Sequence, residues 1–144
     1  MATKAANKKI EDLTVEAQKT VEEGMEKVSK SLEDATAFGQ ENVDAIVASS
    51  KIAAKAVEDI NAELMAYSKK SYEEGVAAAK DLTACKSVTE YFEKQNDFAK
   101  TSFDTFVAQA TKMNEMYTAA AKDAFAPITD RFSAATEMMK SIRV

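Results

Sequence analysis

Twenty-four Asp and Glu residues, one cysteine and no histidine make up the reactive inventory of this 144-residue chain. Paired carboxylates do general acid–base work only when both reach one substrate from the same side. The adjacent pairs Glu22-Glu23 and Glu73-Glu74 do not, because residues three or four apart share a helix face and immediate neighbours diverge. Without histidine no Ser-His-Asp or Cys-His arrangement can form, and the commonest metal ligand is missing. Cys85 has no second cysteine for an internal disulfide, and one thiol with carboxylates alone does not make a structural zinc site. It reads as a small residue in a turn, with a disulfide-linked dimer under oxidation as the alternative. These residues predict no catalytic site, no metal and no cofactor.

The chemistry that remains is binding, and it is concentrated in residues 91–106, YFEKQNDFAKTSFDTF. Five of the chain's eleven aromatic rings fall there: Tyr91, Phe92, Phe98, Phe103 and Phe106. At 100° per residue, Phe92, Phe98, Phe103, Phe106, Ala110, Met113 and Tyr117 lie within an apolar arc of roughly 140°. Glu93, Lys94, Asp97, Lys100, Asp104, Lys112 and Glu115 lie opposite. A heptad can be drawn with Phe103, Ala110, Tyr117 and Ala124 in one column and Ala99, Phe106, Met113 and Ala120 in the other. Burying one Phe fully is worth about 1.5–3 kcal/mol, so the five rings together supply on the order of 10 kcal/mol before ordering costs. The seven arc residues are the candidate interface, either with sister helices or with an external apolar surface.

Long helices must carry this stripe. The chain is rich in Ala, Glu, Lys, Met and Gln, with three glycines and one proline, which predicts an all-α fold. Apolar residues from Ile10 to Phe38 recur at steps of three or four. An eleven-residue echo runs Ile10, Val21, Leu32, Val43, Ala54, Met65, Val76, close to the period of a straight helix. Phe38-Gly39 is the expected break or kink of the first half. From Val43 to Leu82 the apolar face is narrow and alanine-rich. Residues 83–87 interrupt the pattern as a tight turn. Ser87-Val-Thr-Glu90 then fits a capping box, with Ser87 as N-cap and Glu90 reaching back to its amide. Pro127 is expected to break or kink the second helix, beyond which Ile128, Phe132, Ala135, Met138, Met139 and Ile142 continue a helical face.

The predicted architecture is an antiparallel helical hairpin of long amphipathic helices, with N- and C-terminal helical segments, in a bundle or coiled-coil oligomer. The expected divisions are an N-terminal segment over 1–34, a helical domain over 35–135 and a tail over 136–144. A lone pair of such helices buries one stripe each and encloses no compact core.

The net charge of −5 and sequence pI of about 4.9 argue against nucleic acid, which requires a basic face. Lys4, Lys8 and Lys9 read as a solvated start, without the apolar run of a signal peptide. No stretch approaches the ~18 apolar residues that span a bilayer. With its single cysteine the chain reads as cytoplasmic.

Three stretches together carry a family resemblance: FGQENVDAIVASSKIAAKAVEDINAELMAYSKKSYE, TACKSVTEYFEKQNDFAKTSFDTFVAQATKMNEMY and AFAPITDRF. Asn42 to Ala48 follow Phe38. The turn Ala84-Cys85-Lys86-Ser87 precedes Phe92 and Gln95, Phe98-Ala-Lys100 comes next, and Pro127-Ile128 closes the segment. In this order and spacing, over roughly residues 35 to 135, the chain resembles the phasins, coat proteins of bacterial polyhydroxyalkanoate granules. The resemblance implies a non-enzymatic protein that adsorbs to the polyester surface, limits coalescence, and so sets granule size and number. It also implies a homo-oligomer formed through helix pairing. The competing expectation is a cytosolic coiled-coil or bundle module that binds other proteins. An anionic-membrane binder comes third, because its polar face should be richer in Lys and Arg.

Overall fold

The computed structural model describes residues 2–142, with side chains described over 8–141. The Lys4 and Ile142 side chains and the last two residues of the 136–144 tail lie outside that description. Two helices account for the described chain: α1, Ala2–Thr83, and α2, Val88–Ile142. Two compact units are distinguished, Met1–Asp44 and Ala45–Val144. The first is helical with an exposed surface, where Ile10, Leu13, Val21, Val28 and Leu32 all face water. The second contains the hairpin.

The expected interruption at Phe38-Gly39 does not occur, since α1 passes through both residues. Gly39 has a negative φ like its neighbours and open space where a Cβ would stand. A helical glycine costs about 1 kcal/mol relative to Ala, which lowers stability without ending a helix. Nor does α2 break at Pro127, which lies inside it. Proline deletes the amide that would bond the Asp123 carbonyl and disturbs the turn above it. The neighbouring helix supports that turn: the Ser49 hydroxyl donates to the Ala124 carbonyl at 2.6 Å. Ser49 is itself buried. Ser49→Ala is expected to lower hairpin stability by about 1 kcal/mol. Ser50→Ala removes only an exposed bond to the Ile46 carbonyl of its own helix and should change little. Urea midpoints of the two variants check this, and equal midpoints would dismiss the role of Ser49.

The turn is built as its sequence dictates. The Ala84 amide donates to the Lys80 carbonyl and the Cys85 amide to that of Leu82, closing α1. Half-buried Cys85 directs its thiol to the Asp81 carbonyl at 3.3 Å. Ser87 Oγ accepts the Glu90 amide at 3.1 Å and opens α2. The Glu90 carboxylate departs from the expected box, because it accepts the Lys86 amide at 3.2 Å rather than that of Ser87.

Within Ala45–Val144, α2 runs antiparallel to α1. Ser49 meets Ala124 near one end of the pair, and Glu63 meets Gln109 and Lys112 nearer the turn. The seam between them is narrow. Among the described residues only Ala45, Ser49 and Ile60 are buried. Half-buried residues mark the rest, among them Ile52, Ala56, Glu63, Tyr67, Ala78 and Leu82 on α1, and Lys94, Ser102, Thr105, Gln109, Met113, Met116, Ala120, Ala124 and Pro127 on α2.

These seam positions repeat every eleven residues, as in Ala45, Ala56, Tyr67, Ala78 and in Lys94, Thr105, Met116, Pro127. The heptad columns drawn through Phe103 and Phe106 do not describe it, since both rings stand outside the seam. A period of about 3.67 residues per turn keeps a contact row on one side of a nearly straight helix, whereas a heptad row would have to supercoil. The echo through Val43 and Met65 has the right period but belongs to an exposed column.

Candidate functional site

The structure divides the seven arc residues. Met113 is half-buried in the seam, and Phe98, at 38 % exposed, sits on its edge. Phe92, Phe103 (66 % exposed), Phe106 (60 % exposed) and Tyr117 face solvent with Ala110. Tyr91 meets Phe92 edge to face, with ring centroids 5.8 Å apart.

A simple rule describes the outer surface. On α2 the residue following each seam position is never charged: Phe103 follows Ser102, Phe106 follows Thr105, Ala110 follows Gln109, Tyr117 follows Met116 and Phe125 follows Ala124. The same holds on α1, where Ile46 follows Ala45, Val57 follows Ala56, Leu64 follows Glu63 and Ala79 follows Ala78. The residue preceding each seam position is usually charged or Ala: Lys51, Lys55, Asp59 and Asp81 on α1, and Glu93, Asp97, Asp104, Lys112 and Glu115 on α2.

Two grooves show that the preceding residues of both helices lie on one side of the hairpin. A groove of about 370 Å³ near the turn is lined by Ala77 and Asp81 of α1 together with Asp97 and Thr101 of α2. A second, of about 420 Å³, is lined by Ala66, Lys70, Ala108 and Lys112. In an antiparallel pair the following residues of both helices then share the opposite side. The hairpin has a charged face and an uncharged apolar face, and each is built from both helices.

Ion pairs order the charged side. Lys55–Asp59, Lys69–Glu73 and Lys70–Glu74 are helical pairs four residues apart. Such exposed pairs contribute a few tenths of a kcal/mol each. Lys112 crosses between the helices to Glu63 at 2.8 Å, and Gln109 Nε2 donates to the same carboxylate at 3.2 Å. The Lys112 hydrogen bond, helped by that of Gln109, holds the Glu63 carboxyl below the usual glutamate range. At the turn, the Lys86 amide and then the Lys94 ammonium lower Glu90 in the same direction.

Both carboxyls are depressed in the folded chain, so their contribution is present above the unfolded glutamate pKa. It is lost as pH falls through the lowered folded values. Hairpin stability should therefore decline on the acid side of about 4.3. Glu63→Gln combined with Glu90→Gln should flatten that decline in thermal melts taken from pH 6 downward. An unchanged slope would assign it to other carboxylates.

The candidate interface read from the sequence lay on α2 alone. Ile46, Val57 and Leu64 of α1 belong to the apolar pattern of residues 43–82 and are exposed, and each follows a seam position as the α2 rings do. Among the described residues no group of His, Cys, Asp and Glu is arranged to hold a metal ion. Nor, among the described residues, is any helix long and apolar enough to cross a membrane.

Fold and faces together define an amphipathic helical-hairpin protein whose distinctive feature is a surface and not a cavity. A family model described as phasin protein matches residues 33–132, and the chain belongs to the phasin family. Phasins are structural proteins associated with polyhydroxyalkanoate granules. No curated protein and no solved structure matches this chain.

Proposed function

We propose that this chain is a non-enzymatic coat protein of polyhydroxyalkanoate granules in the cytoplasm. It adsorbs through its amphipathic helices and thereby limits granule coalescence, which controls granule size and number. The observation that carries this reading is the apolar face, uncharged along both helices and left wet in the single chain. Exposed apolar surface of this extent marks an interaction site. In solution, away from a granule, a homo-oligomer would cover the same face.

Partitioning tests the reading. Purified protein is mixed with poly(3-hydroxybutyrate) particles and, separately, with anionic phospholipid vesicles, and each is sedimented. Adsorption to the polyester with little to the vesicles is expected, because an acidic chain gains nothing from anionic headgroups. Binding to neither would favour a protein-interaction module, and preference for vesicles would favour a membrane binder.

A further inference from the structure

We infer that the hairpin adsorbs closed, with α1 and α2 side by side, and that α1 forms half of the adsorbing face through Ile46, Val57 and Leu64. This rests on the proposed granule reading and adds the geometry of the bound state. A helical hairpin can meet an apolar phase in two ways. It can unzip and lay its former interior on the surface, or it can stay shut and use an outer side.

The composition of the seam decides between them. Unzipping would press Ser49, Glu63, Ser102, Thr105 and Gln109 toward polymer and break the Ser49–Ala124, Gln109–Glu63 and Lys112–Glu63 bonds. Each would leave a polar group without a partner in an apolar medium. The outer side needs no such change. Its positions carry no charge: exposed rings and aliphatic side chains predominate there, and the polar ones among them, such as Ser50, Asn61, Ser68 and Asn114, belong to no bond between the helices that adsorption would break.

Charge and extent select the occupant. The face has neither the lysines nor the arginines that an anionic bilayer would attract, and charged residues of both helices, among them Lys70, Asp81, Asp97 and Lys112, line the opposite grooves. Phe106, Tyr117, Ile128 and Met139 stand eleven residues apart, so their row stays on one side of α2. From Phe106 to Met139 that row extends about 50 Å at 1.5 Å per residue. A straight, uncharged face two helices wide fits an extended neutral apolar phase such as an aliphatic polyester.

A tethered hairpin tests this. In a Cys85→Ser background, Glu63→Cys and Gln109→Cys are joined by a short bis-maleimide across the seam, where the native side chains lie 3.2 Å apart. Adsorption to poly(3-hydroxybutyrate) particles is compared with the same variant left unjoined. Binding within about threefold supports closed adsorption, whereas a loss of tenfold or more on joining overturns it. If neither form adsorbs, the granule reading falls and the inference falls with it.

Val57→Asp supplies the second arm. It should weaken adsorption about tenfold or more, although sequence placed the interface on α2 alone. Unchanged adsorption would remove α1 from the face. Unchanged adsorption with a drop in mass by light scattering would assign the α1 stripe to a second copy of the chain and overturn the proposal.

Discussion

Replacing Phe103 and Phe106 together by Asp is expected to abolish adsorption to polyester particles while leaving helicity and hairpin stability intact. Both rings project from the apolar face, and neither contributes to the seam. Each Phe fully buried against an apolar phase is worth about 1.5–3 kcal/mol, so losing two corresponds to roughly 10²–10⁴-fold in affinity. The introduced carboxylates add a desolvation cost at the same place. Circular dichroism and the urea midpoint should match the parent, because exposed positions tolerate polar residues within about 0.5 kcal/mol. Helical variants that still coat particles normally would sink the assignment of these rings to the surface.

Ile60→Asp is expected to have the opposite signature. Ile60 is 8 % exposed and is the largest of the three buried side chains among the described residues. A carboxylate there loses the burial of the aliphatic chain and gains a charge in the seam, at a cost of about 3–5 kcal/mol. Domains have only about 5–15 kcal/mol of total stability, and a seam this narrow has little reserve. The urea transition should move to low denaturant or vanish, and tethering across Glu63→Cys and Gln109→Cys should become inefficient. Met65→Asp, five residues on but 74 % exposed, should leave the transition in place. A normal transition for Ile60→Asp would show that this seam is not what holds α2 to α1.

The two substitutions also mark what the sequence disclosed. Helix content, the turn at 83–87 and the segregation of charge on α2 follow from composition and spacing, because each is a local property. The choice of face for the partner helix is not local. The rings of α2 read as an interface with sister helices or an external apolar surface, and the heptad through Phe103 and Tyr117 does not describe the seam with α1. The helices approach through Ala45, Ser49, Ala56, Ser102 and Thr105, whose small side chains permit a narrow contact, between larger residues such as Ile60, Tyr67 and Met116. The small residues give almost no hydrophobic signal, and the large ones recur alongside exposed apolar neighbours, so the eleven-residue period was legible while the column that uses it was not. Gly39 and Pro127 end neither helix. Each weakens a helix by its own chemistry, but good helix formers on both sides outweigh that weakness.

The charged side of the hairpin has a consequence for the particle as a colloid. With the apolar face against polymer, the ionic side points outward, and every adsorbed chain adds its net −5 to the particle surface. Neighbouring particles would then repel each other over roughly the Debye length, about 8 Å at physiological salt. The coat would act as an electrostatic stabiliser as well as a wetting layer. Coated particles should stay dispersed at neutral pH and flocculate as pH approaches about 4.9, where the chain has no net charge. Electrophoretic mobility and turbidity followed through that range would show it, and dispersion that persists at zero mobility would point to steric spacing instead.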